Sequence, residues 1–265
     1  MLRFSANLSL LFTECPLLER FEQAKLQGFD AVEIQFPYQH SPEKIQQALI
    51  ANDLKLVLFN VDADDLLQGG EGLAAVPEKQ TQFRLAVEQA LIYARLLKPL
   101  AVNILPGCCH HPYRRSDYLQ TFKQNLHFAA EAFAAVGVMT VFEAINSYDM
   151  QGFIVDSSEK MLSILQEIQH PNVRLQYDIY HMSRMQENCR QFLLDHLDQI
   201  GHVQFADCPG RGEPGSGQID FGKIFQLLTL SDYSGWVGAE YKPTGSTLAS
   251  LDWMKSAPTG IQAAL

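Results

Sequence analysis

The sequence predicts a closed (β/α)8 barrel, in which eight parallel strands form a ring surrounded by helices. Short apolar or β-branched runs alternate with longer amphipathic segments, eight such runs occur, and 265 residues is an ordinary length for one barrel. We therefore expect residues 1–265 to form one domain. The eight runs are Phe4–Leu10, Ala31–Ile34, Lys55–Phe59, Ala101–Leu105, Val138–Phe142, Val173–Tyr177, His202–Phe205 and Trp236–Ala239.

The segments between these runs have the spacing of amphipathic helices. Glu78–Leu97 and Tyr118–Val136 are rich in Ala, Leu, Gln and Phe. Turn sequences typical of helix ends, Gly28-Phe29-Asp30 and His170-Pro171-Asn172, stand just before the second and sixth runs. Strands that alternate with helices indicate parallel βαβ units, and eight units favour a closed barrel over an open sheet.

The alternative fold, an open nucleotide-binding sheet, requires a glycine-rich turn after the first strand. The first predicted strand is followed by Leu11-Phe12-Thr13-Glu14, which contains no glycine, and no Walker-type loop occurs elsewhere. We therefore expect no nucleotide cofactor.

Charge and composition exclude several classes of protein. The chain has 30 acidic and 20 basic residues and a formal charge of −10, which opposes nucleic-acid binding because phosphates need clustered Lys and Arg. An anionic substrate would instead need one local cation. No run approaches the roughly 18 apolar residues of a membrane span, and no secretory signal is evident. Five cysteines without a Cys-x-x-Cys pair indicate reduced thiols, so we expect a cytoplasmic protein.

Polar residues stand at the ends of the last four predicted strands. These are Glu143 after strand five, Asp178 after strand six, Gln204 and Asp207 in strand seven, and Glu240 after strand eight. A single acid in such a position is often a helix cap or an ion-pair partner. Four consecutive strands with this feature indicate a shared site, because active sites of barrels lie at the carboxyl-terminal mouth.

Three of these side chains would repel one another unless a cation joined them. Glu143, Asp178 and Glu240 bring three negative charges to one mouth, and a divalent ion relieves that repulsion. Gln204 can add its amide carbonyl, which makes the set all oxygen and favours Mg²⁺ or Mn²⁺ over Zn²⁺. Such an ion would keep about two positions for a substrate with adjacent carbonyl and hydroxyl oxygens.

Four segments resemble the hydroxypyruvate isomerase family of xylose-isomerase-like TIM barrels. They are the N-terminal stretch 4–9, Gln176–His181, the loop 211–215 and the stretch 235–243, and the similarity continues to about Met254. The resemblance implies a metal-dependent aldose–ketose isomerase of carbohydrate metabolism that converts hydroxypyruvate to tartronate semialdehyde.

The resemblance also implies roles for individual residues. Glu143, Asp178, Gln204 and Glu240 match the metal positions of the family, and Glu143 and Glu240 match its proton donor and acceptor. His181 and Arg211 match positions that contact substrate in related epimerases. The guanidinium of Arg211 offers a bidentate fork to a substrate carboxylate. Lys242, two residues beyond Glu240, is a second candidate for this contact.

Several alternatives stay open at this point. The protein could be a 2-oxo-tetronate isomerase, a ketose epimerase or a barrel that binds a sugar acid without turnover. A nuclease of the same fold would need more histidine ligands and a basic face. For the reaction, proton transfer and a metal-assisted hydride shift both fit the residues. For the assembly, a homo-oligomer is possible.

Two loops bear on substrate choice. The stretches Gly69–Gly72 and Pro77–Lys79 depart from relatives that carry Gly-Glu-Arg-Gly and Pro-Gly-Arg there. We expect the first of them to cover the mouth. Cys108-Cys109-His110-His111 lacks the ligand spacing of a zinc site, although its place after strand four brings it near the mouth.

Overall fold

A computed structural model describes residues 2–231 and 233–255 of the chain. In this part, eight parallel strands pair in sequence order and close into a barrel through β1 and β8. The strands are β1 (Arg3–Asn7), β2 (Ala31–Ile34), β3 (Lys55–Asn60), β4 (Ala101–Asn103), β5 (Met139–Glu143), β6 (Val173–Asp178), β7 (Ile200–Phe205) and β8 (Trp236–Ala239). The helices are α1 (Leu17–Leu26), α2 (Pro42–Ala51), α3 (Gln80–Leu97), α4 (Arg115–Ala134), α5 (Ser158–Ile168), α6 (Ile179–Arg184), α7 (Cys189–His196) and α8 (Phe221–Leu230).

The predicted barrel is confirmed, and the remaining differences lie at the ends of elements. Strands β2 and β8 have the bounds that the sequence predicts. Strand β1 is shorter than predicted, because the backbone N–H groups of Leu10 and Leu11 turn back to the carbonyl of Asn7. No helix in the described ranges is long and apolar enough to cross a bilayer.

The two faces of each strand have different surroundings. On the outer face, Phe4 and Phe205 pack with Phe225 of α8 and with Trp253 in edge-to-face contacts. These apolar contacts fix the helices on the barrel. The inner face carries buried polar side chains instead, among them Ser5, Asn7, Glu33, Gln176, His202 and Gln204.

One glycine makes room for a buried acid inside the barrel. Gly238 of β8 faces Glu33 of β2, and a Cβ atom at position 238 would lie 2.1 Å from Glu33 Oε1. Only glycine leaves this space free, so the small residue in β8 and the acid in β2 are sterically matched.

Strand register places the predicted residues within two positions of one another on neighbouring strands. Glu143 is paired with Gln176, Asp178 with Gln204, and Gln204 with Gly238 two residues before Glu240. Because the strands are parallel, their carboxyl ends meet at the same mouth of the barrel.

Candidate active site at the barrel mouth

A cavity of about 360 Å³ opens at the carboxyl-terminal mouth of the barrel. Five of the seven predicted site residues line it, and Gln35, Asn60, Leu67, Asp149 and Tyr180 contribute further polar and apolar surface. The five are Glu143, His181, Arg211, Glu240 and Lys242.

A wider opening of about 640 Å³ lies at the other end of the barrel and is lined by Arg3, Arg174 and Trp236 among others. Its cations already have partners in the protein. The Arg3 guanidinium lies 4.9 Å from the ring centroid of Trp236, and Arg174 donates to the carbonyls of Pro171 and Val173. Of the four predicted metal ligands, Glu143 and Glu240 line the smaller cavity, whereas Asp178 and Gln204 are not among its lining residues.

Glu143 and Asp178 are buried acids at the ends of adjacent strands. Asn103 Nδ2 donates to Glu143 Oε1 at 2.6 Å, and the backbone N–H of Tyr180 donates to Asp178 Oδ1 at 2.8 Å. Asp178 is the N-cap residue of α6, so the same side chain begins the helix and lies beside Glu143 and His181.

Burial and mutual repulsion disfavour the charged forms of these acids. Burial, with the charges of Glu240 and Asp178, raises the pKa of Glu143 well above its ordinary value. Burial and the charge of Glu240 raise the pKa of Asp178 to about 7. Such shifts are typical of carboxylates gathered at a functional site.

Glu143 and Asp178 could share a divalent cation, whereas Glu240 is not in their group of neighbouring ligand atoms. Asp178 Oδ2 is buried and has no hydrogen-bond partner within the described ranges. Ligand atoms of Glu143, Asp178 and His181 lie within 4.8 Å of one another. A buried oxygen without a donor is costly, and a positive ion at this point would satisfy it and relieve the repulsion.

Glu240 is held by three donors from other parts of the barrel. Its Oε1 accepts from Asn7 Nδ2 at 3.0 Å and from Gln35 Nε2 at 2.9 Å. Its Oε2 accepts from Arg211 Nη2 at 2.8 Å. Asn7, Gln35 and Asn103 thus orient two of the predicted acids, although the sequence analysis did not select them. Asn7 and Asn103 end their strands, so the strand-end criterion could have found both.

Arg211 reaches the mouth from the loop that follows β7. Asp207, another strand-end acid, shapes this loop by accepting from the backbone N–H groups of Gly215, Gly217 and Ile219. The charges of Glu240, Asp178 and Glu143 outweigh burial and raise the pKa of Arg211, so the guanidinium stays charged. Arg211 Nε is buried and finds no acceptor among the residues that the structure describes.

Gln204 connects the mouth to a polar network deeper in the barrel. Its Oε1 accepts from Gln176 Nε2 at 2.6 Å, and its Nε2 donates to Glu33 Oε2 at 2.8 Å. Glu33 also accepts from His202 Nε2 at 2.7 Å and from Ser5 Oγ at 2.6 Å. Because an amide oxygen has two lone pairs, the carbonyl of Gln204 keeps one for a further partner.

His181 and Lys242 differ in their surroundings. His181 is buried in the first turns of α6, with Nε2 3.5 Å from Asp178 Oδ2. Burial and the charge of Arg211 lower the pKa of His181 well below its usual value. The imidazole is therefore neutral at pH 7. Lys242 is exposed at the rim, and its backbone N–H donates to the carbonyl of Arg211.

The loop 69–72 is tied to the segment after β4. Glu71 accepts from the backbone N–H of His110 at 2.8 Å and from Tyr118 Oη at 2.7 Å, while Cys108 N–H donates to the carbonyl of Glu71. Leu67, just before this loop, lines the cavity. The segment 108–111 therefore anchors the loop next to the mouth.

A second group of potential metal ligands lies on the outer surface. It consists of His127 and Glu131 of α4 and His170 before β6. The backbone N–H of Asn172 donates to His170 Nδ1 at 3.1 Å, which occupies one of the two ring nitrogens. This group is separate from the barrel mouth.

Comparison with known proteins identifies the family of this barrel. Residues 21–257 match the family described as "Xylose isomerase-like TIM barrel". The chain is 40% identical to the hydroxypyruvate isomerase of Escherichia coli, over 96% of this chain and 98% of that relative. It is 36% identical to the 2-oxo-tetronate isomerase of Cupriavidus necator, with the same coverage of 96% and 98%.

Solved structures show the same barrel. A Brucella melitensis protein described as an AP endonuclease of family 2 has a TM-score of 0.93 and 34% identity, over 97% of this chain and 99% of that one. The 3-keto-D-glucoside 4-epimerase of E. coli has a TM-score of 0.82 at 21% identity, over 97% and 100% of the two chains, which is a likeness of fold. The resemblance seen in the sequence is therefore confirmed: the chain belongs to the xylose isomerase-like TIM barrel family.

Proposed function

We propose that the protein is an isomerase that interconverts the aldose and ketose forms of a small hydroxy-oxo acid, with hydroxypyruvate and tartronate semialdehyde as the first choice. One observation carries the proposal: two buried acids, Glu143 and Glu240, and the guanidinium of Arg211 line a single cavity, with the buried acid Asp178 beside Glu143. The proposal is supported by relatives named hydroxypyruvate isomerase and 2-oxo-tetronate isomerase, which match nearly the whole chain.

Glu143, Asp178, Glu240 and the carbonyl of Gln204 would hold Mg²⁺ or Mn²⁺. Oxygen donors of this kind suit those ions better than Zn²⁺. When bound, the ion supplies Lewis acidity that stabilises negative charge on a substrate oxygen.

Glu143 and Glu240 would move the proton between neighbouring carbons of the substrate. One carboxylate removes a proton from the first carbon and the other returns a proton to the second, and such steps typically contribute about 10²–10⁴-fold each. A bound cation would offset the burial and repulsion that raise the pKa of Glu143, so that its carboxylate would be charged and able to accept a proton.

Arg211 would bind the substrate carboxylate. This local cation would allow a chain with a formal charge of −10 to bind an anion. Its Nε has no acceptor within the described part of the chain, so the guanidinium can offer a second donor beside Nη2. A bound carboxylate would compete with Glu240 for Nη2 and free Glu240 Oε2. His181 would add a neutral contact, and Lys242 a second cation at the rim.

The sister reaction on 2-oxo-tetronate is the main alternative, because both kinds of relative match at similar identity. A ketose epimerase and a binding barrel without turnover are further alternatives. The nuclease alternative is favoured by the description of one solved relative, but the excess of acidic residues opposes it. A cytoplasmic location stays a prediction from the sequence.

The test is an assay of the purified protein with hydroxypyruvate and with 2-oxo-tetronate, before and after EDTA and after Mg²⁺ or Mn²⁺ is restored. We expect turnover that chelation lowers and metal restores, and a loss of at least about 100-fold in Glu143→Gln and in Glu240→Gln. Glu131→Gln on the outer surface is the matched control.

Solvent deuterium in the product would separate proton transfer from a hydride shift. Activity that survives prolonged EDTA treatment would contradict the metal requirement, and absence of turnover would favour the binding barrel.

A further inference from the structure

Asn146 lies three residues beyond Glu143 in the loop after β5, and its side chain has a fixed orientation. Its Oδ1 accepts from the backbone N–H of Tyr148 at 3.1 Å and of Asp149 at 2.9 Å. Only the oxygen of an amide can accept these bonds, so the nitrogen must face the opposite way.

The nitrogen of this amide meets His181. Asn146 Nδ2 lies 2.7 Å from His181 Nδ1 and 3.1 Å from Asp149 Oδ2, which uses both of its hydrogens. The backbone N–H of Asn146 also points to His181 Nδ1, at 3.4 Å. Because two donors face Nδ1, this nitrogen must present its lone pair, and the proton of the neutral ring must be on Nε2.

The protonated nitrogen is the one nearer the buried acid Asp178. His181 lines the mouth, and its Nε2 lies 3.5 Å from Asp178 Oδ2. Distance alone would allow His181 to join Glu143 and Asp178 as a third metal ligand. If Nε2 bound the metal, the proton of the neutral ring would have to be on Nδ1. A proton there would face the two N–H groups of Asn146 and would break the hydrogen bonds that they donate to Nδ1.

We propose that Asn146 is a positioning residue that holds His181 as its Nε2–H tautomer, so that His181 donates a hydrogen bond to a substrate oxygen and does not bind the metal. The part that concerns substrate rests on the proposed function. The part that concerns the tautomer rests on the geometry of the loop alone.

The direct test is NMR of the full chain with ¹⁵N-labelled histidine in the presence of Mg²⁺, with the His181 signals assigned by comparison with His181→Gln. We expect a protonated Nε2 and an unprotonated Nδ1. A ring proton on Nδ1, or a loss of the Nε2 proton when Mg²⁺ is added, would overturn the inference. This result does not depend on turnover, so a correct tautomer in a protein without isomerase activity would count against the proposed function only.

The variant Asn146→Asp replaces the donor to Nδ1 with an acceptor. We expect its His181 to carry a proton on Nδ1 and its kcat to fall by about 100-fold or more, with KM changed less, as when one donor to a reacting oxygen is removed. Ser147→Asp is the matched control, because it adds the same charge one residue further on, where the side chain contacts Met185. The control should keep the wild-type tautomer. An unchanged tautomer in Asn146→Asp would overturn the role of Asn146, and wild-type spectra decide the tautomer even if that variant does not fold.

Discussion

Arg211 Nη2 donates to Glu240 Oε2 across 2.8 Å, so the cation expected to bind substrate is paired with one of the acids expected to transfer a proton. The two residues are 29 positions apart in the sequence and come from the loops after neighbouring strands. The ion pair offsets part of the charge of three buried acids. If Arg211 binds the substrate carboxylate as proposed, the ion pair would also couple substrate binding to the release of Glu240, because both carboxylates would need the same guanidinium.

The variant Arg211→Ala should weaken binding of acid substrates more than of neutral sugars. A charge-assisted hydrogen bond contributes about 1.5–3 kcal/mol, so we expect KM for the acid to rise about tenfold to a hundredfold. Arg211→Lys should recover part of this loss, since an ammonium lacks the planar fork. Arg174→Ala, at the opposite end of the barrel, is the control. Steady-state kinetics with both substrate classes measures the effect, and equal losses for acids and neutral sugars would remove the carboxylate role.

Metal affinity should depend on pH through Asp178. Its pKa of about 7, raised by burial and by the charge of Glu240, means that a proton competes with the metal below neutral pH. We expect Mn²⁺ affinity, measured by titration calorimetry, to fall by up to about tenfold per pH unit as the pH is lowered from 7 to 5.5. An affinity that does not change between pH 5.5 and 7 would contradict this assignment.

The same raised pKa should make the metal-free protein less stable as pH rises. In the unfolded chain the carboxyl of Asp178 loses its proton near its ordinary pKa of 3.8, but in the folded protein it keeps the proton up to about pH 7. The folded state therefore binds more protons in this window, and its contribution to the free energy of unfolding falls with rising pH. Thermal unfolding of the wild type should show this fall relative to Asp178→Asn, which cannot ionise. Parallel curves for the two proteins would count against the shift.

The variant Glu33→Gln should destabilise the barrel strongly. Glu33 is fully buried and accepts from Ser5, His202 and Gln204, whose contributions outweigh burial and keep its pKa below the ordinary value. Loss of the charged acceptor leaves buried donors without a full partner, and each such donor typically costs about 1–3 kcal/mol. Denaturant unfolding measures this cost, with the surface variant Glu131→Gln as control. A loss under about 1 kcal/mol would mean that these hydrogen bonds contribute little.

The variant Gly238→Ala tests the space beside Glu33 from the other strand. Its Cβ would lie 2.1 Å from Glu33 Oε1, so the acid must move and its hydrogen bonds must lengthen. We expect a loss of about 3 kcal/mol in the free energy of unfolding. Gly222→Ala in α8 is the matched control, because its nearest contact is Asp220 Oδ1 at 3.4 Å, and it should be neutral or slightly stabilising. Equal stabilities of the two variants would contradict the steric match.

The barrel and the two acids Glu143 and Glu240 at its mouth could be predicted because both depend on local patterns. Alternation of apolar runs and helical segments gives the barrel, and the end of a strand marks the mouth, which brings Glu143 and Glu240 to one cavity. The partners of these acids could not be predicted in the same way. Contacts such as Asn7 with Glu240 join positions 233 residues apart and depend on the closure of β1 on β8.

The buried network below the mouth escaped prediction for a different reason. Glu33 and His202 lie inside apolar strands, where the sequence shows only isolated polar residues. Their meeting depends on which face of each strand points inward, and on Gly238, which leaves space for the acid.

The central claim is that a single divalent ion joins the acids at the mouth. Anomalous diffraction from crystals grown with Mn²⁺ tests it most directly. We expect one strong peak within bonding distance of Glu143, Asp178 and Glu240 oxygens and of the Gln204 carbonyl, with His181 outside the coordination sphere. A mouth without a peak, or Mn²⁺ bound only at His127, Glu131 and His170, would contradict it.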